Sequence, residues 1–455
     1  MKKRKLSFIF FIILIFSFSW SFQDFRTHRE RELQKPESKE RTTHIKLYNQ
    51  GQPFRYQGPL YAPDQILVKF KPSISEQKIQ ATIAAYKSKK LRRIPRVNIY
   101  QVGIPEGVEV MEMVYVMSQN PDIEYVEPNY IAHITVTPND PFFKYQYALY
   151  NSGQDVGVPG SPQGKNRADI KATGAWEETK GDEEVIIAVL DTGVDLLHPD
   201  LAEKIHNSGR DFVNDDFDAT DDHSHGTFVA GIAAAETNNQ KGIAGVAWNC
   251  KILPLKVMDV EGEGLYSWII DAIVWAADNG AHVINLSLGG EIGIQALEEA
   301  VRYAYMKDIV IVAAAGNDGD PVLYPAAYDD YCLAVAATDN RDIRPSWSNF
   351  GPEVDVAAPG VGIASTVPTW YWDPGALPYG AGGDGTSFAT PHVAGLAALI
   401  KSIKPWLEPD DIMDIIRYSA DDTNSSQHPG KDELIGYGRL NMEKALVPIK
   451  IESSK

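Results

Sequence analysis

Cysteine is nearly missing from this chain, with two residues, Cys250 and Cys332, among 455. That excludes a small scaffold stapled by disulfides. No cysteine lies near the N-terminus, so a lipobox cysteine is absent as well. Both cysteines sit in apolar, strand-like contexts, which fits one disulfide after export or two separate buried thiols. Long hydrophobic runs are also missing. The run Phe8 to Phe16 is too short for a membrane-spanning helix. Positive charge is scarce where a nucleic-acid binder would need it. Residues 1–133 carry 21 basic and 13 acidic residues, and the remaining 22 and 48 fall in 134–455, so the larger part has a net charge of −26. Internal repeats and low-complexity tracts are absent.

What is present is a globular composition, 44% hydrophobic and 10% aromatic, in a chain long enough for two or three domains. Lys2, Lys3, Arg4 and Lys5, the apolar run and Ser19-Trp20-Ser21 make residues 1–22 an expected export signal, an uncleaved anchor being the alternative. The product is then secreted, or membrane-anchored if the segment stays. Polar, weakly patterned residues 23–60 are expected to form a flexible leader. Residues 61–136 read as a small α+β domain. Strands are expected at Gln65–Phe70, Asn98–Val102 and Ile123–Ile134, and helices at Ser75–Lys87 and Val108–Met117. Two such halves suggest a ferredoxin-like unit. From Thr137 to Val447 apolar strand-like runs (Val185–Leu190, Lys251–Val257, His282–Leu288, Val310–Ala315, Leu333–Ala336) alternate with helical stretches. This predicts an α/β fold, a mostly parallel sheet with helices on both faces. Residues 448–455 form a tail.

Three short segments concentrate the chemistry. Asp191 ends an apolar run, where catalytic groups of parallel sheets gather. His225 precedes Gly226-Thr227 and a helical stretch, and its neighbour His223 is the decoy because it lacks that glycine. Ser387, in Gly385-Thr386-Ser387-Phe388-Ala389-Thr390-Pro391, opens a helix expected over Ser387–Ile400, with Pro391 in the first turn. A serine hydroxyl needs a base and an orienting group to attack at neutral pH, and the order Asp, His, Ser separates hydrolase families. Asn317, after the run Ile309–Val312, offers a side-chain amide to an oxyanion.

These four segments resemble those of the subtilisin-like serine proteases, or subtilases, most nearly the subtilisin–thermitase branch, over nearly all of 137–447. The resemblance implies a seven-stranded sheet, with Ser387 as nucleophile, His225 as general base and acid, Asp191 as its orienting partner and Asn317 as oxyanion donor. It implies polypeptide substrates, bound through Ser287, Leu288 and Gly289 on one side and Ala314, Ala315 and Gly316 on the other. Apolar or aromatic side chains are expected before the scissile bond. Acidic Asp259, Glu261 and Glu263 suggest a mild preference for basic residues further out. A structural calcium is implied, held by side chains of Asp140, Asp200 and Asn239 and carbonyls of Glu236, Lys241 and Ile243. Residues 61–136 resemble the family's inhibitory propeptide, which serves as intramolecular chaperone and inhibitor, its tail Tyr130–Ile134 lying in the active site before self-cleavage near 133–137. A monomer is expected, with no nucleic-acid partner and no stable membrane association once the signal is removed. Two features depart from the pattern. The stretch 367–383, with Trp370-Tyr371-Trp372, is long and aromatic, and Leu323 is placed to narrow the first pocket. An α/β-hydrolase esterase would need glycine where Ala389 stands, and Asp and His after the serine. A catalytically dead fold kept for binding would not need all four residues intact.

Overall fold

Alternating apolar residues build the small domain. The computed structural model describes residues 61–130, 136–207, 209–371 and 376–447, so the expected export signal, leader, residues 131–134 of the expected propeptide tail, Trp372 and the C-terminal tail lie outside the described residues. Strand β1 (Tyr61–Phe70) is followed by helix α1 (Glu76–Ala85), β2 (Lys89–Ile94), β3 (Ile99–Gly103), α2 (Val110–Ser118) and β4 (Ile123–Tyr130). The antiparallel order β2-β3-β1-β4 is ferredoxin-like. Ile66, Val68 and Phe70 point to one face of β1 and meet Ile79 and Ile83 of α1 and Met113 and Met117 of α2 in one core. Ser75 caps α1, accepting from the Lys78 amide. Strand β2 was not anticipated. Its sequence, Lys-Lys-Leu-Arg-Arg-Ile, is charged and mostly exposed, as suits an edge strand that must not recruit another chain.

The larger domain is laid out by its apolar runs: β5 (Ile186–Asp191), β6 (Arg210–Asp211), α3 (His225–Ala234), β7 (Lys251–Lys256), α4 (Tyr266–Asp278), β8 (Val283–Leu286), α5 (Gln295–Met306), β9 (Val310–Ala314), β10 (Cys332–Thr338), β11 (Val354–Pro359), β12 (Ile363–Thr366), β13 (Tyr379–Gly383), α6 (Thr386–Ile403) and α7 (Pro409–Ser419). Seven strands form one parallel sheet in the order β11-β10-β9-β8-β5-β7-β6. Every residue of β5, β8, β9, β10 and β11 is buried, which explains continuous hydrophobic runs in place of alternation. Helices cover both faces. Helix α6 is apolar all round, buried from Ala389 to Lys401, and packs on β8, β9 and β10 and against α3. The crossover from β7 through α4 to β8 reverses the direction of winding around β5. That places the carboxyl ends of β5, β8 and β9 at the switch point where α/β folds build their sites.

Cys250 and Cys332 are separate, buried and free, which settles the alternative in favour of two thiols. Helix α6 begins at Thr386, so Pro391 falls in its second turn and not its first. Proline there cannot donate to the carbonyl four residues earlier, that of Ser387. The freed acceptor is used by the active site.

Candidate active site

Asp191 is the last residue of β5 and only 1% exposed. Its Oδ1 accepts from the Thr192 amide at 2.8 Å and from His225 Nδ1 at 2.7 Å. With Nδ1 donating, His225 keeps Nε2 bare and able to take a proton. His225 is the first residue of α3. Ser224 before it has φ 100°, a left-handed conformation that costs energy for a non-glycine residue and marks a constrained turn. Asp221 holds that turn. It accepts from the His223 and Ser224 amides (both 2.9 Å), the Thr227 amide (2.9 Å), the Thr227 hydroxyl (2.6 Å) and the Thr192 hydroxyl (2.8 Å). Gly226 is needed because a β-carbon there would lie 2.0 Å from the Gly193 carbonyl, so the turn carrying His225 abuts the strand end carrying Asp191.

Ser387 is the second residue of α6. Its carbonyl, left free by Pro391, accepts from Ser287 Oγ at 2.7 Å, and Ser287 in turn receives Asn285 Nδ2 at 2.9 Å. The segment after β8 therefore anchors the residue expected to attack. Asn317 follows β9, and its Oδ1 accepts from the Thr386 amide (2.8 Å) and hydroxyl (3.0 Å). Both bonds require the amide oxygen on that side, which leaves Nδ2 as the free donor. The Ser387 amide is likewise uncommitted among the described residues.

Asp191, His225, Ser387 and Asn317 line one cleft of about 420 Å³, with Ser287, Leu288, Gly289, Ala314 and Gly316 along it. No hydrogen bond joins Ser387 Oγ to His225 among the described residues. Such contacts are commonly loose without substrate and tighten in the complex. Ala315, expected in the pocket, is behind its wall. It is fully buried, its amide donates to Val335 and its carbonyl holds the Leu323 amide, because alternate residues of a strand face opposite ways. Leu323 itself lines the cleft. A β-carbon on Gly289 would lie 2.9 Å from Leu323 Cβ, so the side chain fills space between the two walls. Of the three acidic loop residues, only Glu261 lines the cleft, beside Met258, Gly262 and His223. Asp259 instead closes its own loop, accepting from the Glu261 and Glu263 amides.

Sequence reasoning missed Thr192, Asp221, Thr386 and Phe388, whose ring centroid is 5.3 Å from that of His225. An acidic residue four positions ahead of a helix start was the signal available for Asp221. The others emerge only from the fold. Trp370 donates Nε1 to the Asp221 carbonyl at 3.0 Å, and Thr369 is held by Asp195, so the aromatic loop abuts the His225 turn. Burial pulls the His225 imidazolium down, but the Asp191 carboxylate, its hydrogen bond and the charge of Asp221 outweigh it and set the pKa above the usual histidine value.

The Subtilase family model matches residues 182–438. The chain belongs to the subtilase family. This subtilase also matches the fervidolysin N-terminal prodomain model over residues 54–129. It is 41% identical over 392 residues to a thermophilic serine proteinase of Bacillus sp. (strain AK1), covering 85% of this chain and 88% of that one. It is 46% identical over 267 residues to thermitase of Thermoactinomyces vulgaris, covering 58% and 86%. A solved protease of Pseudoalteromonas arctica PAMC 21717 superposes with a TM-score of 0.58 at 33% identity, covering 68% of this chain and 99% of that one. The subtilase is thus a serine endopeptidase of the subtilisin type with an N-terminal prodomain.

The residues expected to hold calcium come together away from the cleft. Asp140 and Asp200 are 4% and 0% exposed. Asp140 accepts from the Asn238 and Asn239 amides, and Asp200 from Asn239 Nδ2 (2.9 Å) and the Ile243 amide (3.1 Å). Asn239 Oδ1 accepts from the Lys241 amide at 2.7 Å. A β-carbon on Gly242 would lie 2.1 Å from Asp200 Oδ2, so the loop wraps the carboxylate closely. Burial, with the charge of Asp200 beside it, pushes the Asp140 carboxyl up. Among the described residues nothing donates to the carbonyls of Glu236, Lys241 or Ile243. Two buried carboxylates, held by amide N–H groups of the loop that carries these three carbonyls, are oxygen donors of the kind a hard cation takes. Among the described residues no group of three or more His, Cys, Asp or Glu side chains is placed to hold a metal.

Proposed function

We propose that this subtilase is a secreted, self-processing zymogen that cuts polypeptides with Asp191, His225, Ser387 and Asn317. The observation that carries the reading is the 2.7 Å bond from His225 Nδ1 to Asp191, with Ser387 and Asn317 on the same cleft. His225 Nε2 takes the Ser387 hydroxyl proton as Oγ attacks the carbonyl, and later returns it to the leaving amine. Asp191 keeps the ring oriented and stabilises its charged form. Asn317 Nδ2 and the Ser387 amide receive the oxyanion. Substrate lies extended against Leu288-Gly289 and Ala314-Gly316, adding a strand. Leu323 shortens the pocket for the side chain before the cut, favouring medium apolar groups over large aromatics.

The domain limits that follow are a signal at 1–22, a leader at 23–60, an inhibitory prodomain at 61–136, a catalytic domain at 137–447 and a tail at 448–455. The catalytic domain acts as a monomer, free of the membrane; among the described residues no helix is long and apolar enough to cross one. Calcium would be held by Asp140, Asp200 and Asn239 with the carbonyls of Glu236, Lys241 and Ile243. It would neutralise the two buried acids and tie the start of the catalytic domain to the loop after α3. The test is expression of wild type beside Ser387→Ala, with mass spectrometry of the N-termini. Wild type is expected to begin near Thr135 and the variant to keep residues 61–136 attached; identical N-termini would refute self-processing.

A further inference from the structure

Lys256 is the last residue of β7 and pairs in register with Asp191 on β5. It is 1% exposed, although it carries a charge. All three ammonium hydrogens are used. Nζ donates to the Thr192 carbonyl at 2.9 Å, to Asp222 Oδ1 at 2.6 Å and to the Met258 carbonyl at 2.8 Å. Thr192 and Met258 line the cleft, and Asp222 stands in the turn that leads to His225. Thr192 follows Asp191, Asp222 lies three residues ahead of His225, and Met258 opens the wall that runs to Gly262. A buried ammonium gives little net stability against an apolar side chain of the same length, so its use points to geometry. The geometry points to Lys256 as a positioning residue that spaces the Asp191 strand end, the His225 turn and the Met258–Gly262 wall from a single point. The inference rests on the proposed triad. Lys256 touches none of the reacting atoms. It acts through the backbone on both sides of the Asp191–His225 bond.

The experiment compares Lys256→Met, Lys256→Arg and Lys256→Gln with wild type in the full chain. It follows kcat and KM against pH and labels Ser387 with a fluorophosphonate. The groups around His225 are Asp191, Asp221, His223 and the Phe388 ring. Lys256→Met is expected to lower kcat/KM about 10- to 100-fold, mostly in kcat. It is also expected to move the acid limb of activity to lower pH, because a slackened Asp191–His225 bond stabilises the imidazolium less. Loss of the lysine charge alone would move that limb the other way, so the sign separates positioning from electrostatics. Lys256→Arg is expected to restore most of kcat. A folded Lys256→Met with kcat/KM within twofold of wild type, or with its acid limb unmoved or raised, overturns the inference. If that variant does not fold, Lys256→Gln, which keeps two donors, is judged by the same two readouts. Wild type that takes no label at Ser387 refutes the triad reading itself, whereas labelled wild type with an unaffected lysine variant refutes only this one.

Discussion

The two described domains solve burial differently. In residues 61–130 one face of a four-stranded sheet is packed by two helices, and its edge strand carries Lys89, Arg92 and Arg93 in the open and Lys90 half-buried. In the catalytic domain the sheet is covered on both faces and several charged groups are drawn inside: Asp191, Asp200, Asp221 and Lys256 are all 1% exposed or less. The small domain uses charge for solubility, and the large one uses it for geometry. Replacing a charge should therefore cost little in the first and much in the second.

The sharpest break is Asn317→Ala. Losing the side-chain donor is expected to lower kcat by about 10²- to 10³-fold with KM little changed, the range known for subtilisin. Steady-state kinetics on a peptide would show it; a fall confined to KM would mean that Asn317 binds ground-state substrate instead.

Next comes the cation. In the inactive Ser387→Ala chain, a chelator is expected to lower the melting temperature of the catalytic domain by several degrees and leave the prodomain transition in place. Asp200→Asn should remove the chelator's effect. Equal shifts of both transitions, or none, would count against the site.

Two pH effects separate the domains further. His225 has its pKa raised, so kcat/KM should already be falling, as pH drops, above about pH 6.5. His392, 2% exposed on α6, has its pKa pushed down to about 4 by burial. Its unfolded form binds a proton first, so its stabilising contribution is full above about pH 6.5 and is lost as pH falls toward 4, on the order of 3 kcal/mol in total. Denaturant melts of the inactive chain between pH 7 and 4 would show a larger loss in the catalytic transition, and His392→Gln would reduce that loss.

The smallest effect belongs to the prodomain. Glu76 pairs with Lys90 at 2.5 Å and accepts from Tyr100 at 2.7 Å, and these partners hold its carboxyl down to about 2. Both charges are more than a third or nearly a third exposed, so Glu76→Gln is expected to cost under about 1 kcal/mol. A larger shift of the prodomain transition would show that its surface charges matter as the buried ones do.

The residues of the proposed triad stood out because each stands in a short run of small residues after a strand or before a helix. The order Asp, His, Ser reads directly from the chain. Strand β2 was not legible, since its charged residues satisfy an edge position and no hydrophobic period. Pro391 was placed one turn early because helix boundaries depend on capping by Asn317, a residue from the loop after β9. Ala315 was assigned to the pocket from the family resemblance, and the fold buries it away from the cleft that Ala314 and Gly316 line. The propeptide tail and the tip of the aromatic loop lie outside the described residues.

The chain alone determined the kind of sheet, the order of its strands along the sequence and the candidates for the reactive side chains, because periodicity and residue chemistry are local properties. Tertiary structure decided which carbonyl Pro391 releases to Ser287, which way the Asn317 amide points, and that one ammonium reaches Thr192, Asp222 and Met258 together. Those contacts join residues from separate strands and loops, and only the packed sheet brings their backbones within hydrogen-bonding distance.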